Sequence, residues 1–316
     1  MSRRSDYAGT LFLGTFGMVV GKSYFCIRQS MNNAIDGCIV SNVSKSSGMY
    51  KSIIEKYDRC VEQYRRIVAD KLSRMDFIEY NEVLFSAHSC AIEGNSFSVD
   101  ETRTLKEKGL GMVPQGKTLL EAFEMLDHFQ AYEFLLNRLD DPLSEDLVKE
   151  THRLLTEHTL SYRTKNDDVP SKPGDYTQVD MCAGDTVFGD HDKLISRVPD
   201  LLASTQKALD LSEVHPMVIA AKFHGFFIYL HPFRDGNGRL ARLLTNFILL
   251  KKNQPILILL KEKREEYISA LKQIKKERTD EFLVRFFFHT AIQRMNDEIA
   301  EKQVLSEGDG HFNFEM

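Results

Sequence analysis

His231-Pro232-Phe233-Arg234-Asp235-Gly236-Asn237-Gly238-Arg239-Leu240-Ala241-Arg242 is the stretch on which the reading of this chain turns. It separates two apolar segments, Pro216–Leu230 and Arg239–Lys251, whose pattern predicts helices. Gly236-Asn237-Gly238 falls where the second helix must start. The first backbone N–H groups of a helix are unpaired and the dipole is positive there, so an anion is favoured. Glycine lets the backbone approach a ligand closely. Arg239 and Arg242 are three apart and share a helix face, and their planar cationic heads suit phosphate oxygens. Asp235 puts a carboxylate beside this anion site, which makes sense if a cation such as Mg²⁺ sits between carboxylate and phosphate. His231, at the entrance of the loop, has an ordinary pKa near neutrality and suits proton abstraction. Each part alone is an ordinary structural feature. Their combination within one short loop points to a phosphate-bearing ligand.

Outward from this loop, helices dominate. Ile53, Ile54, Tyr57, Val61, Tyr64, Ile67, Val68 and Leu72 follow a 3.6-residue period. A second helix runs from Phe77 to Ile92 and meets the stop signal Gly94-Asn95. Ser98 with Glu101 makes a capping box for a third, ending near Gly109. Further helices are expected at Leu119–Leu139, from Pro142 and Ser144 onward, at Asp192–Leu209 with a break at Pro199, at Lys263–Lys275 and at Glu281–Glu298. Between Tyr162 and Phe188, Pro170, Pro173, Gly174 and Gly184 interrupt the pattern. There Gln178–Met181 and Asp185–Phe188 read as two short strands joined near Ala183-Gly184. The expected fold class is all-α with one short β-hairpin.

The chain has 316 residues, 42% hydrophobic, with no Trp and a formal charge of -5, so neither a basic stripe for nucleic acid nor an attraction to acidic membranes is present. Its five cysteines, at an odd count and without metal-ligand spacing, read as reduced thiols of a cytoplasmic protein. Ser2-Arg3-Arg4 followed by apolar Leu11–Val20 resembles a weak secretory signal, but Gly14, Thr15 and Gly17 interrupt it, and it is too short to span a bilayer. The resulting division is a poorly ordered extension over 1–48, dispensable if translation starts at Met49; a helical region over 49–115; a catalytic domain over 116–300; and a frayed tail over 301–316.

The loop resembles the signature of the Fic family, His-x-Phe-x-(Asp/Glu)-Gly-Asn-Gly-Arg-x-x-Arg, and matches it at every position. The resemblance covers roughly residues 50–300. It implies His231 as general base, Asp235 as Mg²⁺ ligand, Gly236, Asn237 and Gly238 as phosphate binders, Arg239 and Arg242 as clamps on the outer oxygens, and Phe233 as an apolar anchor. Kinase-like members carry Lys where this chain has Gly238. The glycine therefore implies ATP held for AMP transfer to a protein hydroxyl. The hairpin resembles the family's flap, in which Val179, Asp180 and Met181 would align a target by strand addition; an ordinary surface hairpin is the other reading. Arg264-Glu265-Glu266-Tyr267 with Ala270-Leu271 is similar to the family's segment near adenine. Tyr267 stands equally as a base neighbour or as a core aromatic, and Asn246 is a further candidate for the cleft.

Ser89-Cys90-Ala91-Ile92-Glu93-Gly94-Asn95 resembles the family's inhibitory motif, (Ser/Thr)-x-x-x-Glu-(Gly/Asn). Ser89 and Glu93 share a helix face, and a carboxylate at a helix C-terminus gains from a cationic partner, which the resemblance supplies as Arg242. The alternative for Glu93 is a plain surface residue. Removal of AMP from proteins, or nucleotide sensing without transfer, are competing readings. Homodimer formation and self-modification are implied by resemblance alone.

Overall fold

The computed structural model describes residues 43–183, 186–277 and 279–308. The reading of residues 1–42 and of the tail beyond 308 lies outside them. The first helix among the described residues, α1 (Val43–Ile67), includes residues 43–48, which the sequence assigned to the N-terminal extension. It is followed by α2 (Arg74–Ile92), capped by Ser73, whose hydroxyl accepts from Asp76 N, and by α3 (Val99–Lys108), closed by the Ser98/Glu101 capping box. Then come α4 (Leu119–Leu136), with a second box from Thr118 and Glu121, and α5 (Glu145–Thr156), capped by Ser144.

A single turn, α6 (Leu160–Arg163), leads to an antiparallel hairpin, β1 (Met181–Ala183) and β2 (Thr186–Gly189). Strand pairing starts at Met181, three residues later than the sequence suggested. Val179 and Asp180 precede it because their groups serve local contacts: Thr177 Oγ1 donates to Val179 O at 3.0 Å, and Asp180 Oδ1 accepts from His191 N at 2.9 Å. After the hairpin come α7 (His191–Ile195) and α8 (Val198–Leu211). They are separate helices, with Pro199 in the first turn of the second. The last described elements are α9 (Pro216–Leu230), α10 (Asn237–Lys251), α11 (Arg264–Glu277) and α12 (Glu281–Gly308). The last helix runs past Lys302, where a frayed tail was expected.

The core explains the topology. Helix α9 is buried from Met217 to Phe227, including Phe223 and Phe227 at 0% exposure, and lies against α10 as a helix apolar on all sides must. Helices α1 and α12 pack side by side, joined by Tyr64 Oη donating to Glu298 Oε2 at 2.7 Å and by Cys60 Sγ donating to Asn296 Oδ1 at 3.4 Å. One apolar cluster therefore runs from Tyr50 to Ile299. A separate, smaller cluster of Cys90, Phe97, Leu105, Ala122, Met125 and Phe129 lies between α2, α3 and α4. Cys60 and Cys90 are buried free thiols. Among the described residues no helix is long and apolar enough to cross a membrane.

Candidate active site

The loop between α9 and α10 is built to hold one shape. Helix α9 ends at His231, which takes up left-handed backbone (φ 46°), and α10 starts after Gly236, also left-handed (φ 75°). A Cβ at Gly236 would come within 3.0 Å of Thr156 Cγ2, so this position has both a conformational and a spatial need for glycine. Asn237 closes the loop from within. Its Oδ1 accepts from Phe233 N at 3.0 Å and its Nδ2 donates to Phe233 O at 2.7 Å. The Asn237 side chain is thus committed to the loop, and what it can offer an anion is its backbone N–H. Phe233 is fully buried and stacks on His152 at 3.8 Å, fulfilling the anchoring role expected of it.

Sequence reasoning missed His152. Its Nδ1 accepts from Gly174 N at 2.9 Å, so the proton sits on Nε2, which donates to Asp235 O at 3.0 Å. Burial holds its pKa down at about 4, so the ring stays neutral. Replacing Asn237 by Ala would strip both partners from Phe233 in a buried loop. The expected cost is about 2–4 kcal/mol, read as a drop in the urea midpoint with the m-value unchanged; an unchanged midpoint would show that the loop does not need this clasp.

His231 stands at the mouth. Its Nδ1 lies 3.4 Å from the Ile228 carbonyl, an acceptor only, so Nδ1 carries the proton and Nε2 presents a lone pair. Burial lowers its pKa to about 4 in spite of the nearby Glu93 and Asp235 charges.

Arg239 is 1% exposed. Its Nη2 reaches Asp235 Oδ2 at 3.1 Å, and its Nη1 lies 2.7 Å from Glu124 Oε1. Arg163 joins the same cluster through Glu124 Oε1 (2.9 Å) and Asp235 Oδ2 (3.4 Å). Neither Glu124 nor Arg163 was singled out from the sequence. The available signal was Glu124 and Asp127, two carboxylates set in the apolar run of α4.

Arg242 is 3% exposed and faces the C-terminal end of α2. Its Nη2 donates to Glu93 Oε1 at 2.7 Å and to Ser89 O at 2.8 Å, and its Nε donates to Ser89 Oγ at 3.0 Å. Burial would raise the Glu93 pKa, but the charge and hydrogen bond of Arg242, helped by Arg239, outweigh it and hold the carboxyl below its usual range. The same carboxylate lies against Gly238, where any Cβ would collide with Glu93 Oε1. An intramolecular carboxylate therefore occupies the first turn of α10, where the sequence placed an anion. Arg239 Nε and Arg242 Nη1, both buried, have no hydrogen-bond acceptor among the described residues.

Tyr267 is placed in the core behind Arg242. It is 2% exposed, and its Oη pairs with His224 Nε2 at 2.7 Å. Thr245 Oγ1 donates to Ala241 O, so it accepts from His224 Nδ1; His224 Nε2 is then the acceptor, and Tyr267 donates to it. Burial pushes the phenol up to about 12, with Arg242 pulling it back. Of the two sequence readings, the core aromatic describes this position, because a ring so enclosed does not line an open cleft. Asn246, the other candidate for the cleft, also faces inward instead: it clasps Leu257 N and O at 2.7 and 3.0 Å.

The hairpin is tied to the loop at two points. Thr177 N donates to Pro232 O at 2.9 Å, and Arg234 Nη1 lies 3.4 Å from Met181 Sδ. Among the described residues there is no cluster of three or more His, Cys, Asp or Glu poised for a metal. Asp235 alone fits a Mg²⁺ ion only together with phosphate oxygens, and Arg239 and Arg163 engage its Oδ2.

Residues 142–249 match the model of the Fic/DOC family. Among curated proteins, the chain is 28% identical over 271 residues to a protein adenylyltransferase Fic of Nematostella vectensis, covering 81% of this chain and 58% of that protein. It is 32% identical over 206 residues to its namesake from Culex quinquefasciatus, covering 63% and 38%. The chain thus spans well under two thirds of the length of these relatives. Among solved structures, a Fic domain containing signaling protein from Bacteroides thetaiotaomicron aligns with a TM-score of 0.65 at 22% identity, covering 78% of this chain and 97% of that one. Fic-1 from C. elegans aligns at 0.63 and 23%, covering 91% and 77%. These likenesses show the mainly helical Fic fold. The match over residues 142–249, with its complete loop signature, identifies a Fic domain in this chain.

Proposed function

We propose that the chain is a protein adenylyltransferase, moving AMP from ATP to a Tyr, Ser or Thr hydroxyl of a protein, and that Glu93 restrains it. The observation that carries this reading is the first turn of α10, where Gly238 leaves room for a carboxylate, Arg242 is drawn onto it, and two buried guanidinium nitrogens have no acceptor among the described residues. The name shared by the curated relatives supports the same activity.

In this reading ATP phosphates take the N–H groups of Gly236, Asn237 and Gly238, and Arg239 and Arg242 hold their outer oxygens. Asp235 would be the protein's ligand for Mg²⁺, which when bound would neutralise phosphate charge. Val179, Asp180 and Met181 align the target segment beside the loop. His231 Nε2 takes the proton of the attacking hydroxyl as its oxygen bonds to the α-phosphorus and the bond to the β-phosphate oxygen breaks, releasing pyrophosphate. With Glu93 in place, Arg242 is turned away from phosphate, and the anion site is already filled.

The test is ATP labelled at the α-phosphate, with Mg²⁺ and a cell lysate as target source. Glu93→Gly is expected to label protein at least about tenfold faster than the unchanged chain, the gain expected from removing a charged hydrogen bond of this kind. No α-label from either protein would overturn the reading. Release of AMP from a pre-labelled protein by the unchanged chain would instead assign it the reverse, hydrolytic reaction. The same gel reads self-modification, and light scattering reads the homodimer implied by the resemblance.

A further inference from the structure

Glu93 caps the C-terminal end of α2, and the turn just beyond it decides how firmly its carboxylate is held. Its backbone N–H donates to Cys90 O at 3.0 Å, and Gly94, with φ of 103°, turns the chain sharply away. A Cβ at Gly94 would meet nothing within 4 Å, so the glycine serves the bend and not a tight fit. The apolar support under this turn is the small cluster around Cys90 and Phe97, separate from the main core. Arg264 Nε donates to Ile92 O at 2.8 Å from one side. On the other side, the turn is fastened through Asn95.

Asn95 is 6% exposed, and both ends of its amide are engaged. Nδ2 donates to Glu124 Oε2 at 2.9 Å and to Glu121 O at 3.0 Å, and Oδ1 accepts from Phe97 N at 3.1 Å. Glu124 is the carboxylate whose other oxygen faces Arg239 and Arg163. The turn that carries Glu93 is therefore fastened to the same buried group that holds Arg239. We propose that Asn95 is a positioning residue: by clasping α4 through Glu124 and the Glu121 carbonyl, it fixes the turn from which Glu93 reaches Gly238 and Arg242. It touches no reacting atom, and its proposed effect runs through Glu93, so this inference rests on Glu93 being an inhibitor.

Two substitutions separate this role from simple packing. Asn95→Ala removes the amide. Asn95→Asp keeps nearly the same volume but sets a carboxylate against Glu124, so on the clasp argument it releases the turn at least as strongly, whereas a packing role makes it the milder change. Both are expected to speed α-label transfer about tenfold in the otherwise unchanged chain, the range for a lost hydrogen bond to a charged group. Both should have no further effect in the Glu93→Gly chain. Equal effects in both backgrounds, or none in the unchanged one, would overturn the proposal.

Amide hydrogen exchange supplies a readout independent of activity. Residues 94–97 are expected to exchange about tenfold faster in either variant, with the middle of α4 unchanged. Should Glu93→Gly transfer no AMP, the proposed function fails, while the exchange result still decides whether Asn95 holds the turn. Unaltered exchange at 94–97 would show that it does not. If Asn95→Ala does not fold, the near-isosteric Asn95→Asp carries both measurements.

Discussion

Replacing His231 by Ala in the Glu93→Gly chain is expected to slow AMP transfer by about 10²–10⁴-fold, the usual share of a positioned general base, with ATP binding nearly unchanged. The expectation comes from the ring's geometry. The Ile228 carbonyl fixes the proton on Nδ1 and leaves Nε2 to accept one, so Ala removes the base without touching the helix N-terminus or either arginine. The pH dependence follows with its sign. Burial lowers the pKa to about 4, so the proton-accepting form persists well below neutrality. The acid limb of kcat/KM, which reports the free enzyme, should fall below pH 5 and not near the ordinary value of about 6.5. Loss of transfer together with loss of ATP binding would assign His231 to the shape of the loop. An acid limb near pH 6.5 would show a solvated ring.

Acidification should weaken the fold even above the carboxylate range. His128, His152 and His224 are all 0% exposed, and burial lowers the pKa of each: well below the ordinary value for His128, to about 4 for His152 and to about 3 for His224. In the unfolded chain each titrates near 6.5, so below that pH the unfolded state binds more protons and stability falls as pH falls. The loss continues until the folded-state values are reached. At pH 5.5 His152 and His224 each cost about 1.4 kcal/mol, as does His231, whose value is also lowered to about 4, or about 4 kcal/mol together, and His128 adds in the same direction. Glu82 and Asp127, raised by burial, act in the opposite sense, whereas His88 and His215, lowered by burial, act in the same sense. On the usual scaling for a domain of this size, the melting temperature should drop by about 8–16 °C between pH 7.5 and pH 5.5. Calorimetry at three pH values decides it: a melting temperature constant to about 2 °C would mean that these rings are solvated or already charged in the folded state. Substituting His152 by Gln should remove part of the slope, since one of several such protons is then gone.

What the sequence made legible is what is decided locally. Ser98 with Glu101, Ser144 and Pro216 mark helix starts because a cap needs only its own next three residues. The loop was legible because its glycines, carboxylate and arginines lie within a few residues of one another. The hairpin's starting point was not, because Thr177 diverts Val179 through a contact that leaves no trace in alternation. Helix α1 begins ahead of Met49 because Ser44 to Gly48 continue its turns without an apolar period to announce them. The placement of Tyr267 and Asn246 was not legible for a different reason. Helical spacing places a residue on a face but does not say which neighbour covers that face, and here α9 and the extended segment near Leu257 do. Glu124, Arg163 and His152 lie tens of residues from the groups they hold, so only their oddity inside apolar or irregular stretches hinted at them.

The carboxylate lying against Gly238 turns the proposed inhibition into a competition. Glu93 and a phosphate both need Arg242 and the same first turn of α10, so each excludes the other. Since Glu93 is tethered, its local concentration is constant, whereas that of ATP varies. The apparent affinity for ATP is then the intrinsic affinity scaled by the fraction of molecules with Glu93 withdrawn. A chain 1% withdrawn would require about a hundredfold more nucleotide for half-occupancy, and any partner that draws the turn aside would lower that threshold without touching the site. Such a molecule reads the ratio between nucleotide supply and the grip on one short turn.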